Sequence, residues 1–425
     1  MDFGLTSEQL LLVDSVRQFV DAELMPYEEE VERTDQVRPE LIRQIHERAL
    51  KAGFYAANMP EELGGGGLDH VGLTLMEREL GRTSMALQYA VARPSNILRA
   101  CKGPQVERYL LPTIRGERVE CLAMTEPNAG SDLRSMKTRA ERVGDQYLID
   151  GTKHFISYAD VADFIVLFAA TENEETARGS KKKITAFLVD KDTPGLEVRL
   201  GPKSVSHRGF HHCELVFTNC RVGAEQVLGE EHKGFDVANQ WLGATRLTVA
   251  PQCVGRAQRA LELATQWAAT RKQFGQTIGK FQGTSFKLAD MATEINAAEL
   301  LALKVAWKAD EGTAADEDFA MAKLYATEML ARVTDNALQI FGRVGLMPDL
   351  PIERLWRDAR VERICGTSEI QRHIISRALL RPHEGLARRP AASRVRPPNC
   401  DRRHLSSTAP ALRSIPDSPA TESGR

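Results

Sequence analysis

The sequence has no apolar run near the ~18 residues a membrane-spanning helix needs, no Cys-x-x-Cys pair and no Gly-x-Gly-x-x-Gly. The first absence argues against a helical membrane span. The second leaves seven scattered cysteines, read as reduced thiols in a cytoplasmic compartment. The third removes the fingerprint of a parallel dinucleotide-binding sheet. An excess of one charge is missing too: 56 Lys and Arg face 58 Asp and Glu, so no global field draws the chain to nucleic acid or anionic lipid. The start, Met1-Asp2-Phe3-Gly4, is acidic and lacks the charged-then-apolar layout of a secretory signal.

What is present is an ordinary globular composition, 42% hydrophobic and 27% charged, over 425 residues. That length exceeds what one hydrophobic core serves, so several subdomains are expected. From Ser7 to about Leu111 the apolar spacing is helical, with Leu10, Leu11, Val13, Val16, Phe19 and Val20 on one face and Thr6 or Ser7 as the N-cap. Glu40 to Ala52 and His70 to Leu80 repeat the pattern. Pro60 and Gly64 to Gly67 lie between them as a loop; no strand precedes the glycines and no Lys-Ser/Thr follows, so they do not read as a phosphate cradle.

From about Arg118 to Gly229 the segments Tyr147–Ile149, Phe164–Phe168, Thr185–Val189 and Glu214–Phe217 are short, β-branched or aromatic, and bounded by turn formers. No helix separates them, which predicts an antiparallel barrel or sandwich. Helices return at Trp241–Thr270, Gln282–Glu311, Asp316–Phe341 and Thr367–Leu380, the pattern of a four-helix bundle. The expected organisation is a helical domain over 1–117, a β-domain over 118–230, a helical domain over 231–382 and a disordered Arg-, Pro- and Ser-rich tail over 383–425. The tail has no interleaved aromatics and does not read as a nucleic-acid arm. His211-His212-Cys213 has metal-ligand residue types, but neighbours in a strand point to opposite faces, so no metal site is expected.

Five motifs stand in order along this layout: Met124-Thr125-Glu126-Pro127-Asn128-Ala129-Gly130-Ser131-Asp132; Gly151-Thr152-Lys153-His154-Phe155-Ile156-Ser157; Arg271-Lys272-Gln273-Phe274-Gly275; Gln339-Ile340-Phe341-Gly342; and Arg357-Asp358-Ala359-Arg360 followed by Gly366-Thr367-Ser368-Glu369-Ile370-Gln371. Physically, the Thr-Glu-Pro bend can aim N–H groups and the Thr125 hydroxyl at a planar, acceptor-rich ring. Phe155 offers a ring face and Ser157 a hydroxyl. Arg271 supplies a fork of donors suited to a pyrophosphate and Phe274 a stacking face.

Together the motifs resemble those of the FAD-dependent acyl-CoA dehydrogenases over residues 1 to 380. The resemblance implies that family's α+β fold and its reaction, α,β-dehydrogenation of an acyl-CoA thioester in acyl-CoA catabolism, with electrons passed to electron-transfer flavoprotein. It implies flavin contacts at Leu122, Met124, Thr125, Gly130, Ser131, Phe155 and Ser157. Contacts across a subunit boundary are implied for Arg271, Phe274, Ile278, Gln282, Gln339 and Gly342, with Thr367 and Glu369 as further cofactor contacts and Ser131 and Arg246 as substrate contacts. A homo-oligomer, dimer or tetramer, follows from the shared site. Arg343 stands where the family has a second glycine; it either crowds the backbone's approach to FAD or reaches a phosphate.

The family's general base is a glutamate immediately before Gly-Thr in the last motif, or one residue before the Arg on the long helix. Here those positions are Cys365, in a run one residue short before Gly366, and Thr245. Glu362 or Glu369 could swing in, or a Cys365 thiolate could serve weakly. Without a base the chain is an FAD- and acyl-CoA-binding member with impaired turnover, or one repurposed, for example as a flavoprotein oxidase.

Overall fold

The computed structural model describes residues 4–91, 94–176 and 179–383; the expected tail, from residue 384, lies outside them. Helix α1 (Ser7–Phe19) starts where the Thr6 hydroxyl accepts the Gln9 N–H at 3.2 Å and the Gln9 side chain returns a bond to the Thr6 N–H at 3.0 Å, a reciprocal cap. Helices α2 (Glu28–Thr34), α3 (Pro39–Ala52), α4 (His70–Leu80), α5 (Met85–Val91) and α6 (Leu111–Ile114) follow. Of the apolar stripe read from the sequence, Val13, Val16, Phe19 and Val20 are buried, whereas Leu10 and Leu11 turn out to solvent at 51% and 68% exposure; Val16, Val20, Leu24, Leu41, Ile45 and Ala49 are buried together.

The central sheet has strands β1 (Glu120–Ala123), β2 (Arg139–Val143), β3 (Gln146–Ser157), β4 (Phe164–Thr176), β5 (Gly179–Asp190), β6 (Leu196–Leu200), β7 (His212–Gly223) and β8 (Val227–Leu228), in the order β6-β7-β3-β2-β4-β5-β8 with β1 beside β4. Most pairs are antiparallel as expected, but β1 runs parallel to β4, and β2 meets it in parallel at Arg139 and Ala170. The chain can re-enter in the same direction because the β2–β3 hairpin intervenes. The first half of β4, Phe164–Ala170, is apolar at every position because both faces are covered: Phe164, Val166 and Phe168 face the first helical domain, Ile165, Leu167 and Ala169 the sheet's other core.

Helix α7 (Gly234–Thr270) begins seven residues before the expected Trp241 and carries Pro251 without breaking. After a two-stranded turn, β9 (Lys272–Gln273) and β10 (Gln276–Thr277), come α8 (Gln282–Asp310) and α9 (Asp316–Phe341). The fourth bundle helix is α10 (Pro351–Glu362), which the apolar pattern misses; Ile352, Leu355 and Ala359 pack against α7 and α9, but the same face buries Arg354, Asp358 and Glu362. The expected last helix, α11 (Ser368–Leu380), buries only Ser368 and Gln371. Residues through Leu379 form one unit, and those from Leu380 a second.

Helix α4 lies directly on α7: a Cβ on Gly255 would sit 1.8 Å from the Arg78 carbonyl oxygen, so only glycine fits. Charge pairs also bridge the first domain to the bundle, with Arg259 donating to Glu28 at 2.7 and 2.8 Å and Arg354 at 2.8 Å from the same carboxylate. Among the described residues no helix is long and apolar enough to cross a membrane.

Candidate active site

Strand β1 ends in the loop that carries the first motif, and β3 fixes that loop. Glu126 and Ala129 exchange backbone hydrogen bonds of 3.0 and 3.1 Å, closing the bend around Pro127 and Asn128. The Lys153 ammonium, fully buried, donates to the Met124 carbonyl and to Glu126 Oε1, both at 2.9 Å. Next along β3, the His154 N–H donates to the Thr125 carbonyl at 2.8 Å. The Glu126 carboxylate also accepts the Lys137 and Thr138 N–H groups. Burial works to raise its pKa, but the Lys153 charge and these donors hold it below the usual carboxylate value. Burial pushes Lys153 down to about 8.

Immediately after Lys153, β3 takes one extra residue against β7: Lys153 pairs with Leu215 and Ile156 with Cys213. The bulge turns Phe155 outward with φ +55°, a conformation that is costly for an aromatic residue, and leaves it 58% exposed. Ser157 Oγ lies 3.0 Å from His212 Nδ1; burial lowers the His212 pKa, favouring a neutral ring. Thr125 is half-buried, and Gly130 and Ser131 are exposed on the loop. Leu122 and Met124 back the loop from β1, Met124 buried and Leu122 partly so. These residues are brought together by β1 and β3.

A second group assembles at the end of the bundle. Trp267 of α7 stacks on Phe341 of α9 with ring centroids 5.0 Å apart, and the Arg271 guanidinium lies over Trp267 at 5.9 Å. This joins the turn bearing Arg271 and Phe274 to the end of α9, where Gln339, Gly342 and Arg343 are exposed. Phe274, at φ +49°, is 93% exposed. Ile278 is half-buried and Gln282 exposed at the start of α8. Arg343 has no hydrogen-bond or ion-pair partner among the described residues, and its φ is not positive. Among the described residues, no hydrogen bond, ion pair or ring contact links this group to the first.

The residues at the positions where the resemblance leads one to expect a base lie as follows. Thr245 is half-buried, and its hydroxyl donates to the Trp241 carbonyl of its own helix at 2.9 Å. Arg246, beside it, is half-buried without a hydrogen-bond partner among the described residues, and burial lowers its pKa. Cys365 is an exposed residue whose thiol is nevertheless crowded by protein; desolvation, then the Glu362 charge, push it up to about 11. At neutral pH it is a thiol, so the thiolate reading of the sequence is not supported. Gly366, at φ +55°, offers its carbonyl to Gln371 Nε2 at 2.6 Å, and Thr367 Oγ1 caps the Ile370 N–H at 3.2 Å. Glu369 is exposed, 3.8 Å from Arg372.

Glu362 is the residue that the structure turns away from the position in question. It is 3% exposed, paired with Arg256 and 3.4 Å from His207 Nε2, and its carbonyl accepts Lys323 Nζ at 2.7 Å. Burial works to raise its pKa, but Arg256 and then His207 outweigh it and hold the carboxylate ionised far into acid. The three residues between Glu362 and Gly366 close a turn by donating the Ile364 and Cys365 N–H groups back to Val361. His211, His212 and Cys213 diverge: His211 meets Asp160 and the Asp35 carbonyl, His212 meets Ser157, and Cys213 is buried. Glu126 and Lys153 stand inside the first and second motifs without an evident role in the sequence; the available signal is a charged pair split between two motifs.

Family models match most of the described body in order: the acyl-CoA dehydrogenase N-terminal domain over residues 6–117, its middle domain over 121–220 and its C-terminal domain over 232–380. The 3-(aryl)acrylate reductase of Clostridium sporogenes is 36% identical over 382 residues, 88% of this chain and 99% of that protein. The caffeyl-CoA reductase-Etf complex subunit CarC of Acetobacterium woodii is 36% identical over 348 residues, covering 80% and 91%. The solved butyryl-CoA dehydrogenase of Megasphaera elsdenii superposes with a TM-score of 0.82 at 34% identity, covering 89% of this chain and 100% of that one. With three domain models matched in sequence and the two motif-bearing groups assembled at the sheet and at the bundle end, the chain belongs to the acyl-CoA dehydrogenase family.

Proposed function

We propose that the chain binds FAD and an acyl-CoA thioester and performs α,β-dehydrogenation slowly, passing electrons to electron-transfer flavoprotein. The observation that carries this reading is the loop–strand unit in which Thr125, Phe155 and Ser157 are fixed relative to one another by β3. Members of the family are FAD-dependent, and the residues present fit that group. The Thr125 and Ser157 hydroxyls suit the polar edge of the ring, and the outward Phe155 can cover a face. Arg271, without a carboxylate partner among the described residues, suits the diphosphate. Arg343 projects a full side chain where backbone would approach, which weakens FAD binding. The two unlinked groups support a site shared between copies of the chain, in a dimer or tetramer. When bound, FAD supplies the two-electron acceptor for hydride lost from the substrate's β-carbon.

The protein's own part is to hold the thioester and remove the α-proton. Arg246, a half-buried cation without a hydrogen-bond partner among the described residues, is proposed to meet the substrate, with Ser131 on the loop as a second contact. Proton removal is the weak step: the thiol of Cys365 is protonated at neutral pH and the Thr245 hydroxyl is spent on its helix. A missing general base lowers turnover by about 10²–10⁴-fold without preventing binding. That same observation favours a second reading, an FAD- and acyl-CoA-binding member with little turnover. One named relative works within a reductase–Etf complex, which supports an electron-transfer flavoprotein as partner. The free cysteines among the described residues support a reducing, cytoplasmic compartment.

The test is the visible spectrum of the purified protein, followed by anaerobic mixing with a panel of acyl-CoA thioesters. Flavin bleaching with one of them identifies the substrate; a flavoprotein that bleaches with none leaves the binding reading, and protein that takes up no FAD overturns both. Inserting Glu between Cys365 and Gly366 should raise the bleaching rate.

A further inference from the structure

Two buried charges near the first motif have no part in that chemistry. Lys153 is 0% and Glu126 6% exposed, and each is fully engaged. The ammonium has Glu126 Oε1 and the Met124 carbonyl at 2.9 Å and the Met136 sulfur at 3.9 Å. Every one of these acceptors lies between residues 124 and 136, so a single side chain of β3 gathers the loop from one side. The carboxylate gathers it from the other by accepting the Lys137 and Thr138 N–H groups.

This arrangement has a geometric consequence. In a trans peptide the C=O and N–H point in opposite directions. With the Met124 carbonyl turned toward Lys153, the Thr125 N–H is turned away from it. That N–H donates to no group among the described residues. With the Thr125 carbonyl held by the His154 N–H, the residue is fixed at both of its peptide bonds. The same strand presents Phe155 and Ser157 within the next three residues. The clamp therefore sets a backbone donor and a hydroxyl of the loop in a defined position against the ring face and hydroxyl of β3.

Stability alone does not account for such a pair. A buried ion pair offers little or no advantage over apolar residues of the same volume, whereas it does hold its partners in one geometry. We propose that Lys153 and Glu126 are positioning residues that orient Thr125 for the flavin ring. This rests on the FAD reading above.

The experiment compares wild type with Lys153→Met, Glu126→Gln, Lys153→Arg and the double variant Lys153→Met/Glu126→Leu. FAD dissociation constants and the bound-flavin visible spectrum are measured beside urea unfolding of the FAD-free proteins. Lys153→Met and Glu126→Gln should weaken FAD by about tenfold or more, the worth of one displaced hydrogen-bond donor. The double variant should unfold at a urea midpoint no lower than wild type yet keep the weakened FAD binding and an altered spectrum. Lys153→Arg, which retains charge and donors, should recover part of the affinity. FAD affinity and spectrum unchanged in every variant that folds would overturn the positioning role, as would a loss of affinity that tracks the loss of stability. Glu126→Gln, the mildest change, supplies that comparison if the apolar variants do not fold. Wild-type protein that takes up no FAD would instead overturn the FAD reading and this inference with it.

Discussion

Glu362 is the carboxylate nearest in sequence to Cys365, where the family resemblance leads one to expect a general base, and its replacement separates two roles. In the structure it is one half of a buried pair with Arg256, with His207 at 3.4 Å. Removing one partner of such a pair leaves the other charge buried and uncompensated, a loss of about 3–5 kcal/mol. Glu362→Gln keeps a carbonyl acceptor for Arg256 and should fall at the lower end; Glu362→Ala should fall at the upper end. Urea unfolding of FAD-free protein at pH 7 measures both. The pH dependence has a fixed sign. The folded-state pKa lies below the ordinary 4.5, so the carboxylate's contribution is complete above that value and is lost as pH falls below it toward the folded value. The gap between wild type and Glu362→Gln should be constant from pH 7 to 5 and shrink below 4.5. Flavin bleaching by a reactive acyl-CoA should stay close to the wild-type rate, because the Glu362 carboxylate is buried against Arg256 and His207. A bleaching rate reduced by about 10²–10⁴-fold with stability changed by under 1 kcal/mol would refute the reasoning and make Glu362 the base.

Cys365, with its thiol near 11, should react with iodoacetamide at pH 7.5 about tenfold more slowly than a thiol of ordinary pKa 9.0, the smaller thiolate fraction being partly offset by its higher nucleophilicity, as judged by peptide mass spectrometry; reaction at the ordinary rate would show an accessible thiolate there. Phe155→Gly should raise the stability of FAD-free protein by about 1 kcal/mol, since it relieves a positive φ and removes a ring that is mostly in water, while weakening FAD binding; destabilisation by more than that amount would show the ring is packed rather than poised. Glu28, held at about 2 by Arg354 and Arg259 although burial works the other way, should contribute stability that is complete above pH 4.5 and falls away between 4.5 and 2. Glu28→Gln should remove that acid limb from the urea midpoint plotted against pH; an unchanged limb would assign it to other carboxylates.

The sequence is informative where the determinant is local and ambiguous where it is not. His70–Leu80 and Asp316–Phe341 are readable to the residue because caps and glycine mark their ends: Asp69 accepts the Gly72 N–H before one, and Gly342 at φ +65° follows the other. Strand β4 is readable as an apolar run, yet nothing in its residues says that β1 lies parallel beside it, since that pairing belongs to the path of the chain. Helix α10 hides because its inward face carries Arg354, Asp358 and Glu362, whose partners Glu28, His207 and Arg256 are more than 100 residues away. The site divides in the same way. Thr125, Phe155 and Ser157 are legible as chemistry within short motifs, whereas the role of Lys153 depends on Glu126, 27 residues earlier, which only the fold brings to it. Glu362 shows the opposite error. Three residues from Cys365 in sequence, it reads as a candidate base, but as the last residue of α10 it faces α7 and is neutralised there by Arg256. Proximity along the chain suggests a base; the phase of the helix assigns the side chain to the bundle.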